Sequence, residues 1–182
     1  MSETKQRTTL FEGQHLSLVQ RDHWEYVQRH TGKPAVGVVA LTDQDQIILV
    51  EQFRPPIDRR IVELPAGLAG DIPGAEDEEL LRAAQRELWE ETGYTAQRWT
   101  PLVHAYSSAG LTDESIELFL AEGLNKEGVG GGVDDEEIIV HEVARDQVIQ
   151  WLQEQNTYTD LKLFAGLYAA AQTIAARRSN EI

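Results

Sequence analysis

The sequence predicts a single α+β domain in which helices pack against a largely central β-sheet. Three observations lead to this prediction. The chain has 182 residues, the size of one domain, and 41% of them are hydrophobic, which is enough for a core. Its first third alternates apolar with polar residues as strands do, whereas later segments space apolar residues as helices do. No repeat or Pro/Ser-rich linker divides residues 1–182, so we expect one unit.

The predicted strands are read from short runs in which apolar and aromatic residues alternate with polar ones. Thr42–Asp45 has the composition of a tight turn, and Pro65 ends the strand before it because proline cannot continue a sheet ladder. The predicted strands are His15–Gln20, Trp24–Arg29, Ala35–Leu41, Ile47–Gln52, Ile61–Leu64, Val103–Tyr106, Ile116–Ala121 and Ile138–Val143.

Three helices are predicted from apolar stripes with helical spacing. The first covers Ala75–Thr92, and Gly93 is a suitable end for it. Its acidic first turn, Glu76–Glu79, suits the positive end of the helix dipole. The other two cover Arg145–Gln155 and Asp160–Arg178.

Composition excludes several classes of partner and site. The chain carries 16 basic and 31 acidic residues, a net charge of -15, which disfavours nucleic-acid and anionic membrane partners. The absence of cysteine excludes disulfides and thiolate zinc sites. No signal peptide and no apolar run of about 20 residues is visible, so we expect a cytoplasmic protein.

The acidic helix is the most informative segment. Glu87, Glu90 and Glu91 fall at i, i+3 and i+4 and therefore share one side of the helix. Two carboxylates about 5 Å apart repel by about 3 kcal/mol at an effective dielectric of 20, so a bound cation would explain the crowding. Hard oxygen ligands select Mg²⁺, with Mn²⁺ as a substitute. The alternative is an acidic face that is simply solvated or contacts a partner.

The surroundings of these glutamates carry a family resemblance. Glu78, seven intervening residues and then Arg86-Glu87-Leu88-x-Glu90-Glu91-x-Gly93 resemble the signature of the Nudix hydrolase family. The resemblance implies an α/β/α sandwich with a mixed sheet, and it implies that Glu87, Glu90 and Glu91 ligate a metal. The family glycine before the first glutamate is replaced by Ile72, and Gly67 is the glycine that corresponds to it, so the loop before the helix is longer.

Two segments outside the signature resemble one branch of that family. Gln52–Pro55 followed by Val62–Gly67 is similar to the approach to the active site in hydrolases of ADP-ribose and other nucleoside diphosphate sugars. This implies that Arg54 contacts phosphate or ribose, that Glu63 lies beside the substrate and that the carbonyl of Ala66 ligates metal. The alternative for Arg54 is an ordinary surface arginine.

The loop Ser107–Glu114 resembles the substrate loop of ADP-ribose hydrolases and makes Thr112 a candidate substrate contact. Ala109 stands where proline is usual, which leaves room for other sugars. Trp24 alternates with Tyr26 along a strand, so Trp24 either packs against a neighbour or stacks on a nucleobase. Similar enzymes are homodimers, which implies that residues 1–34 form a β-rich dimerisation region before a catalytic core of residues 35–182.

A glycine-rich arm, Gly128–Gly132, runs into acidic residues just before a strand. We expect this arm to be mobile and, from the resemblance, to deliver the catalytic base, Glu136 first and then Glu137. Glu90 is a further catalytic candidate beside its role as a ligand. The alternative is a solvated acidic loop.

The resemblance implies attack of a metal-activated water on one phosphorus of a nucleoside diphosphate sugar. ADP-ribose, the leading candidate, would give AMP and ribose 5-phosphate. Two alternatives are hydrolysis of nucleoside triphosphates and a non-catalytic domain that senses nucleotide sugars. The complete set of carboxylates favours an enzyme, and the long N-terminal region disfavours the triphosphate branch.

Overall fold

Two β-sheets and three α-helices make up the described part of the chain. The computed structural model describes residues 7–30, 32–132 and 137–180. The helices are α1 (Leu80–Thr92), α2 (Val148–Glu154) and α3 (Leu161–Asn180). The strands are β1 (Arg7–Glu12), β2 (Leu16–Arg21), β3 (Trp24–Arg29), β4 (Ala35–Leu41), β5 (Gln46–Arg54), β6 (Arg59–Glu63), β7 (Ala66–Leu68), β8 (Tyr94–Tyr106), β9 (Ser115–Lys126), β10 (Ile139–Ala144) and β11 (Tyr158–Thr159).

The N-terminal region is a three-stranded antiparallel sheet in the order β1-β2-β3. Val19, opposite Tyr26 in the ladder, is fully buried. The predicted strands at β2 and β3 are confirmed. Strand β1 was not predicted, because all six of its residues are exposed and no buried face leaves an alternating pattern in its sequence.

The central sheet is mixed, as the sequence predicted. Its order is β11-β6-β5-β4-β9-β8, with β10 added along β5 and β7 added along β4. β4 runs parallel to β9, and β11 runs parallel to β6, whereas the other pairs are antiparallel. Helix α1 therefore has a broad sheet on which to pack its apolar side.

Helices cover both faces of this sheet, so the fold is the expected α/β/α sandwich. Alternate residues of β4 point to opposite sides, with Val38 in the cluster under α1 and Val39 in the cluster under α2 and α3. Leu88 of α1 and Leu163 of α3 are fully buried in these two clusters. No helix within the described ranges is long and apolar enough to cross a membrane.

The start of α1 corrects the sequence prediction. The helix begins at Leu80 rather than Ala75, so Glu76–Glu79 lie outside its first turn and the dipole argument for them is wrong. Its end is confirmed, because Gly93 has φ of 71° and its N–H donates to the Trp89 carbonyl at 2.7 Å. Strand β8 is longer than predicted and begins directly after that glycine.

Packing of α3 on the sheet gives a first prediction. Replacing buried Leu163 by alanine removes apolar surface and leaves a cavity, so we expect the free energy of unfolding to fall by about 2–5 kcal/mol. Leu161, two residues earlier and 80% exposed, is the matched control, and its alanine variant should stay within about 0.5 kcal/mol of wild type. Urea unfolding followed by circular dichroism measures both, and equal losses would contradict the packing described.

Candidate active site

Strand β7 lies against the C-terminal half of α1 and brings the metal-ligand candidates together. The N–H of Ala66 donates to the Glu91 carboxylate, N to Oε2, at 2.9 Å. A Cβ atom at Gly67 would lie 2.0 Å from Oε1 of Glu87, so any side chain there would force the Glu87 carboxylate to move. Glu87 is 8% and Glu91 4% exposed. Two buried carboxylates and a strand backbone thus share one corner of the fold.

Arg86 pairs with every member of an acidic cluster, which consists of Asp71, Glu78, Glu87 and Glu90. Its Nη1 donates to Oε1 of Glu87 at 2.8 Å and to Oε2 of Glu90 at 3.0 Å, and the second bond is an i to i+4 ion pair. Its Nη2 donates to the Leu68 carbonyl at 3.0 Å, which ties the helix to β7. The guanidinium therefore relieves part of the repulsion between the crowded carboxylates.

The loop before α1 closes the same cluster. Glu78 accepts from Nε of Arg86 at 3.1 Å and from the Gly70 N–H at 3.2 Å, so it holds the loop against the helix. Asp71 also pairs with Arg86, at 3.1 Å, and it was missed by the sequence analysis because it belongs to no motif. Arg86 in turn orders both the loop and the helix face.

Burial shapes the electrostatics of Glu87. Desolvation raises the pKa of its carboxyl to about 7, and the nearby charges of Glu90 and Asp71 act in the same direction. The positive charge of Arg86 opposes this shift without cancelling it. In the absence of a cation, the deprotonated form of Glu87 is therefore costly at neutral pH.

A second ionic cluster surrounds Glu63, which is almost completely buried. Nε of Arg54 donates to Oε2 of Glu63 at 2.7 Å, and Nζ of Lys162 donates to Oε1 at 2.5 Å. Burial alone would raise the pKa of Glu63, but the hydrogen bond from Arg54 and the charge of Lys162 outweigh it and hold that pKa below its ordinary value. Lys162 also pairs with Asp160 at the start of α3.

Lys162 and Asp160 were missed by the sequence analysis. Lys162 lies 99 residues from its partner Glu63, and one lysine near the start of a helix carries no spacing signal by itself. The buried charge of Glu63 was the only available clue, since a glutamate between apolar strand residues needs cationic partners.

The two clusters face a cleft of about 580 Å³. The side chains from the N-terminal sheet and the loop before β9 reach it as well, through the Arg29–Glu114 ion pair at 2.5 Å. The sequence-predicted residues that line the cleft are Arg54, Glu63, Ala66, Glu87, Glu90 and Glu91.

Trp24 and Thr112 lie elsewhere. They line a separate cavity of about 510 Å³ together with Tyr26 and Tyr106. Nε1 of Trp24 donates to the Gly110 carbonyl at 3.1 Å, so the loop between β8 and β9 docks on β3 within one chain. A role for these two residues in binding a base stays a prediction.

Backbone hydrogen bonds join the glycine arm to the end of α1. The N–H of Gly131 donates to the Glu91 carbonyl at 2.8 Å, and the N–H of Gly132 donates to the Glu90 carbonyl at 3.0 Å. Gly130 has φ of 69°, and a Cβ atom there would lie 2.4 Å from the carbonyl carbon of Thr92. The glycines thus allow the arm to pack directly on the end of α1, and the mobility of the arm stays a prediction.

The structure describes one of the two residues predicted to act as the base on the arm. Glu136 lies outside the described residues. Glu137 is exposed and does not line the cleft, and its backbone carbonyl accepts a hydrogen bond from Nη2 of Arg60 at 2.9 Å. The choice between them stays a prediction.

The oxygen atoms of Glu87, Glu90, Glu91 and the Ala66 backbone suit a hard divalent cation. They are carboxylate oxygens and backbone carbonyls, which Mg²⁺ prefers over nitrogen and sulfur. Within the ranges that the structure describes, no group of three acidic or histidine side chains closes around one point. A cation there would complete its shell with backbone, water or phosphate oxygens, as Mg²⁺ commonly does.

Comparisons with known proteins agree with this fold. Residues 31–167 match the model of the NUDIX domain. The chain is 36% identical over 147 residues to a protein described as "Methanol dehydrogenase activator" from Bacillus methanolicus, covering 80% of this chain and 76% of that one. It is 38% identical over 143 residues to an "ADP-ribose pyrophosphatase" from Bacillus subtilis (strain 168), covering 78% and 74%.

More distant proteins share the architecture. An "ADP-ribose pyrophosphatase" from Escherichia coli (strain K12) is 31% identical over 156 residues, covering 81% of this chain and 70% of that one. A solved structure titled "Crystal structure of ADP compounds hydrolase" superposes with a TM-score of 0.74 at 18% identity, covering 97% and 98% of the two chains. This likeness to the solved structure concerns the fold.

Glu87 predicts a pH-dependent stability of the metal-free protein. The pKa of the Glu87 carboxyl rises from 4.5 to about 7 on folding. The stabilisation that the buried, protonated carboxyl gives to the folded state is therefore complete below pH 4.5 and is lost as the pH rises through 7. A shift of this size corresponds to about 3 kcal/mol. Between pH 4.5 and 8.5 in chelator, wild type should therefore lose up to that amount of unfolding free energy relative to Glu87→Gln. Urea unfolding measures the difference, and a constant difference across the range would contradict the prediction.

The contact above Glu87 gives a further prediction. An alanine at Gly67 would overlap the Glu87 carboxylate, so we expect Gly67→Ala to lower the free energy of unfolding by about 1–3 kcal/mol. A Cβ atom at Gly110 meets nothing within 4 Å, so Gly110→Ala is the matched control and should be nearly neutral. Equal unfolding midpoints for the two variants in urea would show that β7 does not pack on Glu87 as described.

Proposed function

The chain belongs to the Nudix hydrolase family, and we propose that it cleaves the diphosphate of a nucleoside diphosphate sugar, with ADP-ribose as the leading substrate. One observation carries this proposal: a single cleft is lined both by the acidic cluster of α1 and by Arg54 and Lys162, which pair with Glu63. The names of the relatives from B. subtilis and E. coli support the choice of ADP-ribose. The products would be AMP and ribose 5-phosphate.

We propose Mg²⁺ as the cofactor, held by Glu87, Glu90, Glu91 and the carbonyl of Ala66. The oxygen donors and the burial of the carboxylates support this assignment. When bound, such a cation neutralises phosphate charge and lowers the pKa of a coordinated water. Arg86 then holds Glu87 and Glu90 in place from one side, as residues behind metal ligands commonly do.

Arg54 is proposed to bind the diphosphate. Its Nε is fixed by Glu63, which leaves the Nη groups of its half-exposed side chain available to phosphate oxygens. Glu63 is buried and pairs with both cations, so its proposed role is to orient Arg54 beside the substrate. Charge that develops on the phosphate oxygens during cleavage would be stabilised by this preorganised pair.

We propose that an arm acid, Glu136 or Glu137, accepts the proton of the attacking water, with Glu90 as the alternative. The hydrogen bonds from Gly131 and Gly132 to the carbonyls of Glu91 and Glu90 support a base close to α1, the helix that carries the proposed metal ligands. A general base must stand within hydrogen-bond reach of the proton that it takes. Anchoring of this kind restricts where the arm can go.

The cavity at Trp24 and Thr112 is proposed to bind the base, and a homodimer is proposed to form through residues 1–34. Aromatic side chains line this cavity, which suits stacking on a purine. Phe11 is 68% exposed, and Leu10 and Leu16 are also exposed in the same small sheet. These exposed apolar residues support pairing with a second copy of the chain. We also propose that residues 1–182 act as one unit.

Activity on a substrate panel tests the proposed function. With Mg²⁺ we expect release of AMP and ribose 5-phosphate from ADP-ribose, measured by chromatography beside GDP-mannose, UDP-glucose, NADH and deoxynucleoside triphosphates. Glu91→Gln removes a ligand charge and should lower the rate by roughly 100-fold or more. The matched control is Glu79→Gln, because Glu79 is an exposed acid at the start of the same helix that makes no capping hydrogen bond.

Three outcomes would contradict the proposal. The first is unchanged turnover after complete removal of metal by chelation. The second is cleavage of triphosphates alone, which would assign the cleft to the other branch of the family. The third is equal activity of Glu91→Gln and Glu79→Gln.

A further inference from the structure

Each oxygen of the buried Glu63 carboxylate is used by a different cation. Nε of Arg54 donates to Oε2 at 2.7 Å, and Nζ of Lys162 donates to Oε1 at 2.5 Å. Because the Glu63 side chain is only 3% exposed, these two cations rather than water balance its charge. Arg54 and Lys162 therefore share one carboxylate, and each limits what the other can do with it.

Arg54 reaches Glu63 with only one of its three nitrogen atoms. Within the described ranges, its Nη1 and Nη2 atoms make no hydrogen bond or ion pair. An arginine beside a carboxylate frequently forms two parallel N–H···O bonds instead. Arg54 lines the cleft and its side chain is partly exposed, so both Nη groups remain available to a ligand in the cleft.

The start of α3 fixes Lys162 beside Glu63. Asp160 directly precedes the helix, and its Oδ1 accepts from the Leu163 N–H at 3.2 Å, as a residue that caps a helix N-terminus does. Oδ2 of the same carboxylate pairs with Nζ of Lys162. Leu163 is fully buried between α3 and the sheet. The docking of α3 thus sets the position of an ammonium group whose partner Glu63 lies 99 residues away in the chain.

We propose that Lys162 is a positioning residue of the diphosphate site, which keeps the Nη groups of Arg54 free for phosphate by occupying Oε1 of Glu63. The inference rests on the proposed function, in which Arg54 binds the diphosphate. It adds α3 to the elements that build the cleft, because the lysine and its partner Asp160 both belong to the start of that helix.

Loss of the Lys162 charge would change how Arg54 binds Glu63. Oε1 of Glu63 would lose its donor, and a buried carboxylate oxygen without a hydrogen bond is costly. The fixed fork of Nε and one Nη group can satisfy both oxygens of a carboxylate at once. Arg54 would therefore turn an Nη donor to Glu63 and have fewer donors left for phosphate.

The kinetic test compares Lys162→Met and Lys162→Arg with Leu161→Met. With Mg²⁺ and ADP-ribose, we expect KM to rise by about 10-fold or more in Lys162→Met, with a smaller change in kcat, because a charge-assisted hydrogen bond to the substrate is lost. Lys162→Arg keeps a cationic donor for Oε1 and should return KM to within about threefold of wild type. Leu161 is the neighbouring residue, is 80% exposed and carries no charge, so Leu161→Met should keep both constants within about twofold.

A double-mutant cycle separates positioning of Arg54 from direct contact between Lys162 and the substrate. In a Glu63→Gln background no carboxylate remains to draw the Nη groups away, so adding Lys162→Met should change KM by less than about twofold. This double variant removes one buried charge of each sign, so it should fold even where Lys162→Met alone is destabilised. Full additivity of the two changes would overturn the inference, as would a wild-type KM in Lys162→Met.

A crystal structure of Lys162→Met distinguishes failure of the inference from failure of the proposed function. We expect one Nη atom of Arg54 within hydrogen-bond distance of Oε1 of Glu63, whereas Leu161→Met should keep the single bond from Nε. An unchanged Arg54 side chain in Lys162→Met would overturn the inference, whichever substrate the protein cleaves. If Arg54 moves as expected but wild type cleaves none of the diphosphate sugars, the proposed function is wrong and the positioning of Arg54 by Lys162 stands.

Discussion

The close contact between α1 and the backbone of Ala66 and Gly67 is the constraint on which the rest of the site depends. It buries the carboxylates of Glu87 and Glu91 beside a strand, where charge is costly. Overlap at Gly67 leaves no room for a side chain above Glu87. The sheet therefore sets the position of the helix, and the helix in turn sets the position of the acids.

Charge balance around this contact supports the proposal that a strongly acidic chain binds a diphosphate. Arg86 pairs with four carboxylates, those of Asp71, Glu78, Glu87 and Glu90, so one guanidinium is outnumbered by the acids around it. Arg54 and Lys162, which line the same cleft, are balanced by Glu63 and Asp160. The excess of negative charge around Arg86 favours a divalent cation, and the oriented guanidinium of Arg54 favours phosphate oxygens.

The glycine arm packs on the acidic helix α1 and leads to the acids that are proposed as the catalytic base. Its hydrogen bonds use the carbonyls of Glu90 and Glu91, so any shift of the helix end is transmitted to the arm. Glycine is needed at 130 because a Cβ atom would strike the helix backbone. Arg60 holds the far end from the sheet. The arm is thus built on the same packing that places the acidic cluster.

The sequence by itself determined the α/β/α sandwich, most strands and the acid face of α1, because alternation, helical spacing and the signature from Arg86 to Gly93 are local patterns. It did not determine the start of α1 at Leu80, because a run of acids fits a loop as well as a first turn. Only the tertiary structure placed Lys162 on Glu63 and Arg60 on the Glu137 carbonyl, and only it put Trp24 outside the main cleft. The physical reason is that these contacts join residues far apart in the chain, whose meeting depends on how the helices and the small sheet dock and leaves no periodic signal in the sequence.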